Sequence, residues 1–403
     1  SNTMLGFTIS AALFGTIVGA FFCARPVEKF GRRPILIAIA ILYLLSATGC
    51  AFTHNWYMFI LMRFAGGLAV GASSVAGPLY IAEISPSQWR GRFVAFFQFN
   101  IVLGIVLAYL SNYYISSLGI ENDWRIMLGV MGVPALLFAV LLFTVPESPR
   151  WLITHGQESK AFEVFRRTGE KDIDSQIAAI RSSLDNENQK SDERLFQKKY
   201  AKPLLYAFMI ATFNQLAGIN AILYYAPRIF ETAGIMRDSA LLQSIVIGLT
   251  NLVFTMIAMI IIDKVGRRKL LMTGSIGMAI SLFLVAYGYH TEIAAKYYML
   301  ICLMAFIAFF ASSLGATIWV LISEIFPAGV RSKGQVFGSM THWLWSAILS
   351  WIFPVIISSG KSGGTAIFGF FAIMMVFCFF FAWKILPETK NKSLEELQRD
   401  LTE

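Results

Sequence analysis

Amide and aromatic side chains stand out in this sequence because they lie within stretches that are otherwise apolar. Amides both donate and accept hydrogen bonds, and rings offer flat apolar faces. Together they suit a ligand that has many hydroxyl groups and apolar C–H faces. The predicted binding set contains Gln98, Asn214, Gln215, Asn220, Tyr224, Asn251, Trp319 and Trp343.

Each amide also has a structural interpretation, because amides hydrogen-bond between helices in many membrane proteins. Gln215 and Asn220 are five positions apart, about 140° around a regular helix. A regular helix would therefore not place both on one face. Gly218 lies between them, and its conformational freedom predicts a local distortion near a ligand.

Among the rings, Trp319 is the preferred platform for a ligand and Trp343 is a second candidate. His342 could carry a proton because histidine titrates near neutrality. A single histidine in a helix is more often a packed hydrogen-bonding residue, and this alternative is preferred for His342.

The composition of the chain indicates the class of protein that holds these residues. The chain has 403 residues, of which 57% are hydrophobic and 14% are charged, whereas soluble domains are about 25% charged. An integral membrane protein is therefore predicted. The net charge of +9 does not indicate nucleic-acid binding, because the basic residues lie in short loops rather than along one face. The four cysteines have no spacing typical of disulfides or zinc.

Apolar runs of the roughly 20 residues needed to cross a bilayer occur eleven times. The sequence therefore predicts an all-α membrane protein. Residues 146–202 are polar and contain short amphipathic patterns, which predict helices outside the bilayer. The predicted spans are 5–25, 34–53, 57–82, 93–116, 125–145, 203–232, 239–262, 269–289, 297–323, 335–358 and 364–386.

Basic residues alternate between the loops, and loops rich in Lys and Arg stay in the cytoplasm. Such residues follow the first, third, seventh and ninth spans, whereas THNW, SLGIEND and SSGKSGG carry almost none. This pattern places residues 146–202 and the C-terminus inside and Ser1 outside.

Three charged motifs occur twice in the same order. PVEKFGRRPI at 26–35 matches IIDKVGRRKL at 261–270, and AEISPSQWRGR at 82–92 matches SEIFPAGVRSK at 323–333. PESPR at 146–150 matches PETK at 387–390. The chain is therefore interpreted as a duplicated membrane protein with a cytoplasmic linker.

The positions of the repeats allow the number of helices in the two halves to be compared. Two predicted spans precede the second GRR motif after the linker, but one precedes the first. Halves with the same orientation need even numbers of helices, so we expect the first half to lack its first helix. A natural eleven-helix variant is the alternative.

These motifs give the chain a specific resemblance. EKFGRR, RFAGGLAVG, PLYIAEISP, PESPRWL, NQLAGINAILYYAP, WVLISEIFP and PETKNKSLEEL run in order over essentially all of it. The chain resembles the sugar porter family of the major facilitator superfamily, in particular bacterial pentose and hexose proton symporters and glucose facilitators. The resemblance implies alternating access, a sugar site near the bilayer midplane and two six-helix bundles, here with 5 + 6 helices. The expected domains are 1–145, the linker 146–202, 203–386 and a tail at 387–403.

Four positions depart from the family pattern: Glu28-Lys29, Asn214-Gln215, Gly315-Ala316 and Ser346. The resemblance places Gly315 just before the binding tryptophan, so Gly315 joins the predicted set. These departures are compatible with transport, but they put the identity of the sugar in doubt.

Arg63 is the most informative charge within a span. An arginine inside a membrane helix costs at least about 2.5–3.5 kcal/mol on insertion scales, so it should have an anion nearby. No Asp or Glu lies in the middle of any predicted span. In the family's proton symporters the corresponding Arg works with an Asp on the first helix, so we expect Arg63 to act in proton coupling and to have lost its partner. An arginine that extends to the outer surface is the alternative.

The repeated loop charges are predicted to form a cytoplasmic gate, as in the family, that holds the halves together in the outward-facing state. The alternative is that the bases only set topology. The predicted gate residues are Glu28, Arg32, Arg33, Glu83, Arg90, Glu147, Arg150, Asp263, Arg267, Arg268, Glu324 and Arg331, with Glu388 as the counterpart of Glu147.

The main functional hypothesis is secondary transport of a monosaccharide, with proton symport in the intact protein. Uncoupled facilitation is an alternative, and a sugar sensor is less favoured because the tail is short. An enzyme is not predicted, because no nucleophile–base pair, metal cluster or phosphate loop is present. The expected partners are a monosaccharide, protons and the lipid bilayer of a bacterial inner membrane, with no nucleic acid, metal or cofactor, and the chain is expected to be monomeric.

Overall fold

The computed structural model describes residues 2–86, 90–170, 172–190, 195–232, 236–291, 297–326 and 330–388. These residues form eighteen α-helices and one short 3-10 helix. The first ten are α1 (Asn2–Phe22), α2 (Ala24–Phe30), α3 (Arg32–Phe52), α4 (Trp56–Ile84), α5 (Arg90–Ser117), α6 (Asp123–Gly129), α7 (Gly132–Leu142), α8 (Pro149–Thr154), α9 (Glu158–Thr168) and α10 (Ile173–Lys190). The others are α11 (Ala201–Leu216), α12 (Ile219–Thr232), α13 (Arg237–Val265), α14 (Arg267–Thr291), α15 (Tyr298–Ser312), α16 (Leu314–Glu324), α17 (Arg331–Ile357) and α18 (Lys361–Lys384).

Eleven segments among the described residues are long and apolar enough to cross a membrane. The predicted number of spans is therefore confirmed. Three spans are divided into two helices each: α6 with α7, α11 with α12, and α15 with α16. At the last of these breaks Ser313 has φ −130° and ψ −90°, which is outside the helical region.

The chain divides into two compact units, which we call the N-terminal unit and the C-terminal unit. The N-terminal unit contains Ala11–Asn100 and Asn122–Arg194, and the C-terminal unit contains Ser1–Ser10, Ile101–Glu121 and Leu195–Glu403. The domain boundaries expected from the sequence stay a prediction.

In the N-terminal unit, α1 and α4 approach each other at backbone distance. A Cβ atom at Gly15 would lie 2.2 Å from the carbonyl oxygen of Phe64, and one at Gly67 would lie 1.8 Å from that of Ala12. Gly19 and Gly71 are equally close to backbone oxygens of the facing helix. Small residues at a spacing of four allow this packing. The sequence contains this pattern at 15–19 and 67–71.

The polar segment after α7 also belongs to the N-terminal unit. It forms α8, α9 and α10, so the helices predicted from its amphipathic patterns are confirmed. Ile153, Val164 and Phe165 are buried in its small core. On its outer face Glu158 accepts hydrogen bonds from Arg181, one at 2.9 Å, and these bonds raise the pKa of Arg181.

The C-terminal unit has a larger buried core, to which α11–α18 contribute. Six of its largest fully buried side chains are phenylalanines: Phe230, Phe306, Phe326, Phe353, Phe368 and Phe371. Aromatic rings supply much buried area for each residue. This core surrounds the break between α11 and α12, which contains the predicted amides.

Candidate substrate-binding site and charge networks

The break between α11 and α12 brings two predicted amides together. Gly218 has φ +85°, a left-handed conformation that favours glycine. The Asn220 Nδ2 atom donates a hydrogen bond to Gln215 Oε1 at 3.0 Å. The predicted distortion at Gly218 is therefore confirmed, and it allows side chains five positions apart to meet.

Two residues of α17 extend this pair. Asn220 Nδ2 also lies 2.8 Å from Ser346 Oγ, and Gln215 Nε2 lies 3.2 and 3.1 Å from the two ring nitrogens of His342. Because the amide nitrogen can only donate, the imidazole must accept. The geometry favours a packed hydrogen-bonding role for His342 over the proton-carrier interpretation.

Asn214 connects the same group to α16. Its Oδ1 atom lies 3.2 Å from Gln215 Nε2, and its Nδ2 atom donates to the carbonyl oxygen of Leu314 at 3.3 Å. Gly315 follows directly, and a Cβ there would lie 2.9 Å from the Phe310 ring. We call Asn214, Gln215, Asn220, His342 and Ser346 the amide cluster.

Two predicted aromatic rings border the amide cluster. The ring centroids of Trp319 and Trp343 each lie 5.0 Å from that of His342. Trp319 is 40% exposed, whereas His342 is buried. The indole of Trp319 therefore has a surface open to a ligand beside a buried set of hydrogen-bonding groups.

Three further predicted binding residues lie on other parts of the chain. Tyr224 is largely exposed on α12, and Asn251 is buried in α13. Gln98 is half-buried on α5 in the N-terminal unit. Their roles in binding stay predictions.

Sequence reasoning missed the support for this site. Trp345 Nε1 donates to Thr212 Oγ1 at 3.1 Å, which holds α17 against α11. In the sequence, Ser346 stands out only as a departure from the family pattern. Its position four residues after His342, on the same face of a helix, could have identified it as a partner.

Arg63 is half-buried in α4. It has an interaction partner. The loss of an acidic partner on the first family helix stays a prediction. Its role in coupling stays a prediction.

In the N-terminal unit the first GRR motif forms a buried ion pair. Arg32 Nε and Nη2 each donate to one oxygen of Glu83 at 2.8 Å, a bidentate arrangement. Ser148 Oγ donates to Glu83 Oε2 at 2.5 Å. The two charged side chains are 9% and 7% exposed.

Glu147 caps the start of α3 in the same place. Its carboxylate accepts hydrogen bonds from the backbone N–H groups of Arg32 at 2.9 Å, Arg33 at 3.2 Å and Ser148 at 2.8 Å. Free N–H groups at a helix start attract negative charge. Gly31 precedes the helix with φ +98° and provides no side-chain cap. We call Arg32, Arg33, Glu83, Glu147 and Ser148 the first charge network.

The C-terminal unit repeats the arrangement. Arg267 Nη2 donates to Glu324 Oε1 at 3.1 Å, and the backbone N–H of Arg267 donates to Glu388 Oε1 at 3.1 Å. Gly266 has φ +95°. We call Arg267, Arg268, Glu324 and Glu388 the second charge network.

The second arginine of each motif binds carbonyl oxygens at the end of a helix of its own unit. Basic side chains stabilise such ends because the last carbonyls lack partners. The acceptors are Leu142 and Phe143 for Arg33, and Ala382 and Trp383 for Arg268. These bonds lie within one unit each, so a gate that spans both halves stays a prediction.

The other predicted gate residues differ in what the structure describes. The Glu28 side chain is exposed, and its backbone carbonyl accepts a hydrogen bond from Trp151 Nε1 at 2.9 Å. Arg150 is half-buried and has an interaction partner. The side chains of Arg90, Asp263 and Arg331 lie outside the described residues.

Comparison with known proteins identifies the family of this chain. Residues 1–401 match the family described as "Sugar (and other) transporter". The chain belongs to this family of sugar transporters. It is therefore a multi-pass membrane transporter of the major facilitator fold and not an enzyme.

Similar sugar transporters cover nearly the whole chain. The D-xylose-proton symporter of Escherichia coli (strain K12) is 36% identical over 99% of this chain and 86% of its own length. The arabinose-proton symporter of Bacillus subtilis (strain 168) is 35% identical over 99% of this chain and 87% of its own length. The inward-open structure of the xylose transporter XylE from E. coli has a TM-score of 0.88 and 34% identity, and covers 100% of this chain and 90% of that one.

Proposed function

We propose that this sugar transporter carries a pentose or hexose by alternating access, with a proton as the coupling ion. The amide cluster beside Trp319 carries the proposal. The buried Asn214 and Gln215 and the half-buried Asn220 are already held in place by hydrogen bonds to one another and to α16 and α17. A site that is preorganised in this way loses little entropy when it binds a ligand.

The sugar would use both components of this site. Its hydroxyl groups would exchange hydrogen bonds with Asn214, Gln215 and Asn220, which can donate and accept. Its C–H face would lie against the exposed indole of Trp319. Tyr224, Asn251, Gly315, Trp343 and Gln98 complete the proposed set because they match family binding positions.

Proton coupling is favoured over uncoupled facilitation because similar chains are proton symporters. We assign Arg63 to coupling, since a cation inside a membrane span favours ionisation of a nearby carboxyl group.

The two charge networks are proposed to stabilise the outward-facing state from the cytoplasmic side. Each holds the start of a helix in place with charged side chains, and their disruption would favour inward opening. This proposal includes a cytoplasmic C-terminus, location in a bacterial inner membrane and a monomeric chain within the lipid bilayer.

Transport by the full chain in proteoliposomes tests the site. We expect saturable counterflow of radiolabelled xylose, arabinose or glucose. Gln215→Ala should lower kcat/KM at least tenfold, because the sugar loses a hydrogen-bonding amide of the proposed site. The matched control is Gln243→Ala, which removes a buried amide of α13 whose Oε1 has no hydrogen-bond partner among the described residues. Absence of counterflow for all three sugars, or equal losses in both variants, would overturn the proposal.

Coupling has a separate test. Arg63→Gln should abolish uphill uptake driven by a proton gradient while counterflow continues at a rate within about tenfold of the parent chain. Retention of gradient-driven uptake in this variant would remove Arg63 from the coupling mechanism.

A further inference from the structure

A cavity of about 420 Å³ lies in the N-terminal unit, whereas the amide cluster belongs to the C-terminal unit. The start of α3 forms one side and the linker helices α8 and α9 form the other. Its apolar surface includes Pro146, Leu152 and Val164, and the Trp151 ring borders it. This volume is within the range of small-molecule sites, about 300–1,000 Å³.

Three cations line the cavity. The Arg33 guanidinium donates to two backbone carbonyls, and Lys160 Nζ donates to Gln157 Oε1 at 2.9 Å. Arg167 is exposed on α9. In the part of the chain that the structure describes, no carboxylate forms an ion pair with any of the three. Their positive charges therefore remain available to an anion.

The two carboxylates of the cavity leave this charge in excess. Glu147 already accepts three backbone N–H groups at the start of α3. Glu163 is exposed on α9, where solvent weakens its attraction for neighbouring cations. The lining residues thus combine three positive charges with two negative ones.

We propose that this cavity binds a small phosphate monoester. A phosphate monoester brings close to two negative charges and three acceptor oxygens, which suit one lysine and two arginines. The apolar wall and the volume leave room for an organic group beyond the phosphate. The proposal concerns a site other than that of the transported sugar and does not depend on the proposed function.

Binding would act on the first charge network. Arg33 lines the cavity, and its backbone N–H donates to Glu147. A phosphate held between Arg33 and the two cations of α9 would connect the linker to the start of α3. Occupancy would thus stabilise the conformation in which the first charge network is formed.

The test measures binding to the full chain in nanodiscs of phosphatidylcholine. We expect glucose 6-phosphate to bind saturably and to raise the thermal unfolding midpoint. Inorganic phosphate should bind more weakly. Any shift of the unfolding midpoint by glucose should be the same with and without Lys160 and Arg167. The substitutions Lys160→Gln and Arg167→Gln should each weaken binding about two- to fivefold, as expected for exposed charge contacts. Arg166→Gln is the matched control, because Arg166 is an exposed cation of the same helix that does not line the cavity.

Each result decides part of the proposal. No saturable binding, or equal weakening by Arg166→Gln, would overturn the site. Equal affinity for inorganic phosphate would overturn the ester. Nanodiscs that contain phosphatidic acid identify the source of the monoester. A lipid source is supported if phosphatidic acid displaces glucose 6-phosphate and if its own binding is lost in the Lys160→Gln, Arg167→Gln double variant. A soluble source is supported if phosphatidic acid leaves glucose 6-phosphate binding unchanged.

Discussion

The two charge networks come from the same repeated motif but differ in tightness. Arg32 holds both oxygens of Glu83 at 2.8 Å, whereas Arg267 Nη2 holds one oxygen of Glu324 at 3.1 Å. Glu83 is 7% exposed and Glu324 is 22% exposed. The other oxygen of Glu324 is buried without a hydrogen-bond partner among the described residues.

This difference shows that a repeated sequence preserves the position of a charge more faithfully than its bonds. In the first charge network a serine supports the acid. Its counterpart by repeat is Thr389, which lies outside the described residues. We therefore expect the first network to contribute more to stability and the second to open more readily.

The largest contrast should come from removal of the buried acid. Glu83→Gln leaves a buried arginine without its counter-charge, and such a change costs about 3–5 kcal/mol. Glu324→Gln should cost about 1 kcal/mol, because the pair is longer and more exposed. Thermal unfolding midpoints in one detergent, with and without sugar, give the comparison. Equal midpoints for the two variants would mean that bond geometry does not separate the networks.

The glycines before the two helices provide the next comparison. Gly31→Ala forces a side chain into a left-handed conformation and should cost about 1–3 kcal/mol. Gly266 has nearly the same φ, but the added Cβ would lie 2.8 Å from Glu388 Oε2, against 2.5 Å from Glu147 Oε2 at Gly31. If contact with the carboxylate matters, Gly31→Ala lowers the unfolding midpoint more. Equal decreases would assign the cost to backbone strain alone.

Removal of the capping carboxylates should have a smaller effect. Glu147→Ala takes an acceptor from three backbone N–H groups, and loss of a helix cap costs about 1–2 kcal/mol. Glu388→Ala is the matched change in the second charge network. Hydrogen–deuterium exchange at the first turns of α3 and α14 measures each effect locally. The expected ranking would be reversed if Glu388→Ala accelerates exchange at α14 more than Glu147→Ala accelerates it at α3.

The smallest expected effect concerns Ser148. Its hydroxyl donates to Glu83 and accepts from the backbone N–H of Trp151 at the start of α8, so Ser148→Ala should cost about 1 kcal/mol. The double variant with Glu83→Gln should lose less than the sum of the two single changes, because the residues share a bond. Strict additivity of the midpoints would show that the serine acts only on α8.

Much of this fold could be predicted because its signals are local. The eleven spans follow from apolar length, and the bend at Gly218 follows from two amides at a spacing that a regular helix cannot bring together. The contacts of Gln215 with His342 could not be predicted, since they join positions 127 residues apart. The roles of Glu147 and Glu388 as helix caps depend in the same way on the meeting of distant segments. No sequence pattern predicts the cavity beside Arg33, because the start of α3 and the linker helices α8 and α9 form it together.

The glycine contact between α1 and α4 has a consequence for motion. Backbone atoms meet there with no side chains between them, and packed interiors deform little. This close contact opposes sliding and rotation of the two segments against each other. We therefore expect the segment of α1 from Ala12 to Gly19 and the facing segment of α4 to move as one rigid body. Bending during the transport cycle should then occur elsewhere in the unit.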